Sequence, residues 1–340
     1  MLDAVTRNRV TFALVEEDSN YRLVRAGRWE PQKHTLGAYR QIEPLKSLLF
    51  RPREYLGAWT GQAGREPMAE RVVIGVKNCD LSGLAIHDDV FLNGDVQDPL
   101  YAEAREKTIL VTADCTGCRD VCFCPAVGEH PYPTQHFDIN ISPTPIGYLL
   151  ETGTERGAEV LQAARQYLTP ADDAIQEARK TQRAGMDRML LENAASAGLA
   201  PGMDFRGALE ETFESRLWDD FAADCVECGA CNFICCTCHC FLLADGLNAR
   251  DNPARCKQWD SCLFPGFACT AGGNPRPKRA QRLRNRFDKK FIFFPEVLGR
   301  YACDGCGRCT EACIGKIDIR KILERAVNES GAVHADSSDD

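Results

Sequence analysis

The chain has 340 residues, which is enough for two domains that each bury a hydrophobic core. Its formal net charge of −8 disfavours a nucleic acid as the main partner, and 26% charged residues is ordinary for a soluble globular protein. No window approaches the roughly 20 apolar residues of a membrane helix, and the first four residues lack the pattern of a signal peptide. We therefore expect no membrane partner and a cytoplasmic location.

The first part of the chain predicts a mixed α/β domain over residues 1–154. Residues 10–15 and 21–25 flank a polar turn and predict a β-hairpin. Two apolar runs predict buried strands, each followed by cysteine, and a shorter run predicts one more strand; these are residues 72–76, 108–111 and 148–151. Together they predict an α+β protein whose N-terminal domain contains a sheet.

Helical, polar patterning follows from residue 155 and predicts a helical connector over residues 155–215. The Thr169–Pro170 step interrupts the pattern and predicts the start of a new helix. Residues 216–327 are cysteine-rich and predict a mainly helical domain. The last residues, 328–340, are small and acidic, and this composition predicts disorder.

The 19 cysteines are the main chemical signal of this sequence. They are clustered, with five between Cys79 and Cys124, seven between Cys225 and Cys240, three between Cys256 and Cys269, and four between Cys303 and Cys313. Disulfides are rare in a reducing compartment, and a disulfide framework would distribute its cysteines more evenly. The pattern therefore predicts metal or redox chemistry.

Two runs repeat the spacing C-x2-C-x2-C-x3-C, which is typical of ferredoxins with two [4Fe–4S] clusters. Three closely spaced cysteines wrap one cluster, glycines allow the tight loop, and the fourth cysteine binds the other cluster. Crossed ligation predicts one cluster on Cys225, Cys228, Cys231 and Cys313, and a second on Cys303, Cys306, Cys309 and Cys235.

Two zinc sites are the alternative for these runs, but zinc usually takes its cysteines as separate pairs. The runs depart from the ferredoxin pattern in one detail. In ferredoxins the last cysteine of such a run is usually followed by proline. Here Cys236 follows Cys235, and Ile314 follows Cys313. We expect this to change local geometry or potential without removing a cluster.

The chain resembles the iron–sulfur β subunits of soluble NAD(P)-linked [NiFe] hydrogenases (sulfhydrogenases) and the related A subunit of anaerobic sulfite reductase. The resemblance covers about three quarters of the sequence. It rests on the segments 75–84, 89–92, 98–101, 115–124, 235–241 and 259–262, and on the second cysteine run.

The resemblance implies an electron carrier between a flavoprotein subunit that oxidises NAD(P)H and a catalytic subunit. The catalytic subunit is a [NiFe] hydrogenase in one branch of the family and a sirohaem sulfite reductase in the other. The resemblance also suggests a third iron–sulfur cluster on Cys79, Cys115, Cys122 and Cys124, with Cys118 as an alternative to Cys115 and Asp80 as a cap or oxygen ligand. No phosphate-binding glycine motif is present, so we expect no flavin or nucleotide on this chain and no catalytic residue.

Several alternatives stay open at this point. The N-terminal cysteines also fit a zinc site or unliganded thiols, and the whole chain fits an independent enzyme with an incompletely ligated cluster or a non-redox scaffold stabilised by zinc. The segment Cys238-His239-Cys240 also fits a metal site with Cys262, although we favour structural packing for Cys236, Cys238, Cys240, Cys256, Cys262 and Cys269. The basic residues 276–290 fit charge compensation near clusters, docking to an acidic partner, or a solvated face.

Overall fold

The computed structural model describes residues 1–58, 67–247 and 253–336. Its strands in these ranges are β1 (Val10–Glu17), β2 (Asn20–Ala26), β3 (Arg53–Ala58), β4 (Arg71–Val76), β5 (Thr108–Ala113), β6 (Ile139–Thr144), β7 (Gly147–Thr152), β8 (Phe241–Leu247) and β9 (Pro253–Trp259). Its α-helices are α1 (Leu2–Thr6), α2 (Lys46–Leu49), α3 (Asn78–Phe91), α4 (Pro99–Glu106), α5 (Glu155–Gln162), α6 (Asp173–Ser196), α7 (Phe205–Glu211), α8 (Leu217–Ala223), α9 (Ala230–Phe233), α10 (Arg279–Asp288), α11 (Phe294–Leu298), α12 (Arg308–Glu311) and α13 (Ile319–Asp336).

Six strands form the larger sheet in the order β2-β1-β4-β5-β6-β7. The antiparallel pair β1–β2 confirms the predicted hairpin, and β7 lies where a third short strand is predicted. Strands β1, β4, β5 and β6 run parallel, with the hairpins at both edges. Every residue of β4 and β5 is buried, which explains their unbroken apolar sequence, because parallel strands are covered on both faces.

A smaller antiparallel sheet joins distant parts of the sequence in the order β3-β9-β8. The C-terminal half therefore contains a β-hairpin, and the expectation of a mainly helical C-terminal domain needs this correction. Asp98 links helix α4 to the smaller sheet: its Oδ1 accepts hydrogen bonds from Leu100 N and Tyr101 N at the start of α4, and its other oxygen pairs with buried Lys257 of β9. The Asp-Pro-Leu-Tyr segment thus has a structural explanation.

The connector contains the predicted helical break. Helix α5 ends at Gln162, and α6 begins at Asp173 with Asp172 as its N-cap, accepting from Ile175 N at 3.0 Å. A large apolar core then forms from α7, α8, α10 and α13, and Phe123 of the N-terminal half packs inside it. The two cysteine-rich parts of the sequence therefore share a core.

The end of the chain differs from its prediction. Helix α13 continues to Asp336, so residues 328–336 are helical where disorder is expected, and residues 337–340 lie outside the described residues. Its buried side chains Ile322, Leu323 and Ala326 anchor it on the C-terminal core. In the parts of the chain that the structure describes, no helix combines the length and apolar character needed to cross a membrane.

Candidate metal centres

The first cysteine run and the end of the second lie around one small cavity. Cys225, Cys228, Cys231 and Cys313 all line it, as crossed ligation predicts, and Cys309 reaches it from the second run. Gly229 has φ +72° at the turn between Cys228 and Cys231, and its backbone lies so close to Phe264 that a Cβ would be 2.9 Å from the ring. This glycine therefore allows the run to fold tightly around the cavity.

The predicted second set is brought together only in part. Cys235 and Cys303 lie near the ammonium group of Lys290, and Cys309 lies near Cys303. Cys306 instead places its Sγ 3.9 Å from Cys236 Sγ and lines a cavity of the N-terminal half. Cys306 is thus the ligand candidate that reaches both halves of the chain.

The N-terminal cysteines converge on that cavity. Cys79 lies at the start of α3, directly after β4, and Cys115 follows the neighbouring parallel strand β5. The ends of adjacent parallel strands meet at one sheet edge, which explains why residues 36 positions apart in sequence share a site. The cavity is lined by Cys79, Cys115, Cys118, Cys122, Cys124 and Cys306.

The turn Cys122–Phe123–Cys124 is fixed onto the second cysteine run. Phe123 is fully buried in the C-terminal core, and its N–H donates to the Gly305 carbonyl at 2.8 Å. Gly305 has φ +66°, and a Cβ there would lie 2.4 Å from Cys124 Cα. Phe123 therefore holds the two sites in contact.

Asp80 is not placed as a metal ligand. Its Oδ2 accepts from Gln41 Nε2 at 3.0 Å and from Arg308 Nη2 at 2.8 Å, and its Oδ1 accepts from Leu45 N at 2.8 Å. Both oxygens are thus engaged by protein donors. Asp80 instead supports the wall next to Cys79.

Buried cations face the cysteine cavities. Three of them form no salt bridge with a carboxylate among the described residues. The ammonium of Lys46 donates to the Asn232 and Cys238 carbonyls at 3.2 and 2.8 Å. Lys290 donates to Cys235 Sγ at 3.3 Å, and Arg286 donates to Asn232 Oδ1 at 3.2 Å. Each side chain is less than 5% exposed. Burying a charge without a counter-charge is costly, so these residues fit a site whose thiols are ionised.

Another buried cation lies beside the N-terminal cavity. Lys77 is 1% exposed, and its ammonium donates to the Gly37 and Asp114 carbonyls at 2.7 and 3.1 Å. Burial lowers the pKa of Lys77, and nearby Cys115 acts in the opposite direction. An anionic group on Cys115 would therefore stabilise this lysine.

Several of the thiols are disfavoured as free anions. Burial raises the pKa of Cys115 and of Cys231 to about 12 each, and that of Cys118 to about 11. A metal replaces the proton on such thiols, because metals bind the thiolate. None of the 19 cysteines forms a disulfide.

The basic segment is largely explained by this charge balance. Arg282 and Arg286 are buried on α10, and Lys290 is buried in the π-helical segment Lys289–Phe293 that follows it, so these three do not form a solvated face. Arg279 adds a hydrogen bond from its Nη1 to the Cys225 carbonyl at 2.8 Å. The structure therefore favours charge compensation for Arg286 and Lys290, whereas Arg282 is paired with the carboxylate of Glu227.

Sequence reasoning missed four other buried cations that lie close to the cysteines: Arg40, Lys46, Lys77 and Arg308. Arg308 and Lys77 adjoin cysteine motifs, so their positions carried a signal. Arg40 and Lys46 are distant from any cysteine in sequence. Only the fold brings Arg40 Nε to the Cys306 carbonyl, at 2.7 Å.

Comparison with known proteins agrees with these sites. Residues 224–317 match the family model of the 4Fe-4S dicluster domain, a type of domain that holds two [4Fe–4S] clusters. The chain is 30% identical over 291 residues to the sulfhydrogenase 2 subunit beta of Pyrococcus furiosus, covering 84% of this chain and 83% of that protein. No solved structure matches the chain. The protein is therefore an iron–sulfur electron-transfer subunit of a hydrogenase-type complex, and it belongs to the family of sulfhydrogenase β subunits.

Proposed function

We propose that this chain relays electrons through three iron–sulfur clusters between two other subunits. Two [4Fe–4S] clusters would take the crossed ligands of the two cysteine runs, Cys225, Cys228, Cys231 and Cys313 for one and Cys303, Cys306, Cys309 and Cys235 for the other. Cys79, Cys115, Cys122 and Cys124 would hold the third. When bound, such clusters supply one-electron transfer.

The observation that carries this proposal is the set of buried cations that face thiols. Among the described residues, Lys46, Arg286 and Lys290 form hydrogen bonds only with carbonyl, amide, hydroxyl or sulfur atoms and pair with no carboxylate. Thiolate-ligated clusters are anionic and would supply the missing counter-charge. Four thiolates around a zinc ion would carry a similar charge, so the preference for iron–sulfur clusters over zinc rests on the repeated cysteine spacing and on the match to the 4Fe-4S dicluster domain.

The contacts between sites support a relay. The second run touches the N-terminal turn through the hydrogen bond from Phe123 N to Gly305 O and the contact of Cys122 Sγ with Cys306 O at 3.8 Å. Cys309 of the same run lines the cavity of the first run. The second run therefore lies between the other two sites.

One end of this series reaches the surface. Cys228 is exposed, and neighbouring Val226 is 59% exposed. We infer that this end faces a partner subunit, because a site close to the surface allows transfer across a subunit contact. The other end, at Cys79 and Cys115, is enclosed by α3 and the sheet edge.

For partners, we propose a flavoprotein subunit that oxidises or reduces NAD(P) and a catalytic [NiFe] hydrogenase subunit, in the cytoplasm. The named relative is a sulfhydrogenase subunit, which favours this branch over a sirohaem sulfite reductase. We assign no flavin, nucleotide or catalytic residue to this chain itself.

The test is the metal content of the native complex, purified without oxygen through a tag on this chain. We expect abundant iron, acid-labile sulfide, stoichiometric nickel, and a brown absorption bleached by dithionite. Replacing Cys231 by serine is expected to lower iron, whereas Cys269→Ser, at an exposed cysteine, serves as the control. Iron with sirohaem and without nickel would show that the catalytic partner is a sulfite reductase and not a hydrogenase. Zinc without iron would overturn the relay.

A further inference from the structure

Cys236 lies outside the proposed ligand sets but contacts one of their members. Its Sγ lies 3.9 Å from Cys306 Sγ, and the residue is 2% exposed. In ferredoxins the corresponding position after the fourth cysteine of a run is usually proline, whose side chain cannot donate a hydrogen bond. A cysteine at this position therefore adds a buried S–H group next to a proposed cluster ligand.

The position of Cys236 is fixed on helix α3. Gly83 of α3 lies so close to it that a Cβ on this glycine would be 2.5 Å from Cys236 Cβ. The Cys236 carbonyl is 2.9 Å from Nε2 of fully buried His87, and this nitrogen is the donor because a carbonyl only accepts. These contacts hold the backbone of Cys236, and with it the thiol, against the N-terminal half of the chain.

The backbone of Cys306 is fixed as well. Its N–H donates to Asp304 Oδ1 at 3.2 Å, and its carbonyl accepts from Arg40 Nε at 2.7 Å. In the part of the chain that the structure describes, Cys306 Sγ has the thiol of Cys236 as its hydrogen-bond partner. The two sulfurs therefore face each other from backbones that are each held by other contacts.

The groups around Cys236 decide which sulfur donates. Arg308 Nη1 lies 2.6 Å from Cys236 Sγ, and a guanidinium only donates, so the sulfur accepts there and its own proton points elsewhere. Asp80 Oδ1, 3.8 Å away, already accepts from Leu45 N at 2.8 Å. Cys306 carries no proton when it binds iron, because a metal binds the thiolate. Cys236 is then the donor and Cys306 Sγ the acceptor.

Cys236 keeps its proton in these surroundings. The charge of Arg308 is balanced by Asp80, with Nη2 and Oδ2 2.8 Å apart. A thiolate at Cys236 would place a further negative charge beside the Asp80 carboxylate and beside the ligating sulfur of Cys306. Like charges at these distances disfavour ionisation, so the S–H group remains available for donation.

We propose that Cys236 is a positioning residue that donates its S–H to Cys306 Sγ and thereby raises the reduction potential of the cluster that Cys306 binds. This inference rests on the proposed function, in which Cys306 is a cluster ligand. A hydrogen bond to a ligating sulfur stabilises the reduced cluster more than the oxidised one, because the reduced cluster is more negative. Cys236 therefore makes this cluster easier to reduce.

The experiment is a redox titration of the tagged, anaerobically purified complex, followed by electron paramagnetic resonance. Cys236→Ala removes the donor. We expect it to lower the equilibrium constant for reduction of one cluster about tenfold, which is a decrease of about 59 mV in the midpoint potential of a one-electron couple. Cys236→Ser keeps a donor and is expected to retain most of the wild-type potential. Cys256→Ala, at a cysteine of β9 that is 1% exposed, is the matched control and is expected to shift no potential.

Two further measurements identify the cluster and check that it is intact. The affected signal is assigned with Cys303→Ser, which is expected to remove or alter the same signal because Cys303 is a proposed ligand of that cluster. Iron and acid-labile sulfide are measured in Cys236→Ala, Cys236→Ser and Cys256→Ala, and all three are expected to keep the wild-type content.

The outcomes separate this inference from the proposed function. Unchanged potentials in Cys236→Ala, or an equal shift in Cys236→Ser or Cys256→Ala, overturn the hydrogen bond and leave the relay intact. Loss of one cluster's iron from Cys236→Ala also overturns it, because Cys236 would then be a ligand. A shift of a signal that Cys303→Ser leaves unchanged overturns the choice of Cys306 as the acceptor. A wild type without iron overturns both proposals.

Discussion

Arg308 and Asp80, 228 residues apart in sequence, form a fully buried ion pair with Nη2 and Oδ2 2.8 Å apart. Arg308 also contacts Cys236 Sγ at 2.6 Å and donates from Nε to the Gln41 carbonyl at 3.0 Å. The pair thus joins the N-terminal wall of the Cys79 cavity to the second cysteine run.

Removing one partner of this pair is expected to destabilise the protein strongly. Asp80→Asn leaves the guanidinium without its carboxylate, and breaking a buried pair in this way costs about 3–5 kcal/mol. Thermal unfolding of the anaerobic holoprotein measures the effect. Glu210→Gln, which breaks the exposed Arg206–Glu210 pair, is the control and is expected to cost less than about 1 kcal/mol. Equal stability of the two variants would contradict the structural role of Asp80.

Gly305→Ala tests the contact between the two halves. The added Cβ would lie 2.4 Å from Cys124 Cα at a backbone φ of +66°, so the second run has to move away from the Cys122–Cys124 turn. We expect iron loss and a lower unfolding temperature. Gly266→Ala is the control, because no atom lies within 4 Å of the position that its added methyl group would take. Retention of full iron and stability by Gly305→Ala would show that the contact is dispensable.

Cys115, rather than Cys118, is expected to be the ligand of the N-terminal site. Both cysteines line the cavity, but Cys115 lies near the buried ammonium of Lys77, which favours a thiolate, whereas Cys118 lies near Asp120, whose negative charge disfavours one. Cys115→Ser should therefore remove one cluster's iron, and Cys118→Ser should leave it. Iron analysis of the two variants decides between them, and the opposite pattern would transfer the assignment to Cys118.

Lys290→Met is expected to make a cluster of the dicluster domain harder to reduce. The buried ammonium lies 3.3 Å from Cys235 Sγ, and a positive charge there favours the more negative, reduced state. A redox titration followed by electron paramagnetic resonance should show a more negative midpoint potential. Lys180→Met, on the exposed face of α6, should leave every potential unchanged. An unchanged potential in Lys290→Met would show that this charge does not tune the site.

Asp288 is expected to make stability depend on pH. Burial raises the pKa of Asp288 to about 6, and its Oδ1 has no hydrogen-bond partner among the described residues. The folded state then holds a proton that the unfolded state, with a pKa near 4, has released. Stability from this group is therefore present below about pH 4 and is lost as the pH rises to about 6. Asp288→Asn should remove this loss. The measurement is the free energy of unfolding of the wild type and of the variant as a function of pH, and parallel profiles would contradict the prediction.

The sequence alone determined the chemistry of this protein. The repeated C-x2-C-x2-C-x3-C spacing indicates two clusters because local spacing is what a cubane requires of its first three ligands. The unbroken apolar runs of β4 and β5 and the hairpin β1–β2 were equally predictable, because strand patterning is local.

Tertiary structure decided what lies around those cysteines. Only the parallel pairing of β4 with β5 places Cys79 near Cys115. The burial of Lys46 and Arg40 and the Arg308–Asp80 pair leave no pattern in sequence, because they depend on contacts between residues far apart in the chain. These contacts set the local charge around each cavity. That charge decides which anionic group the cavity can stabilise.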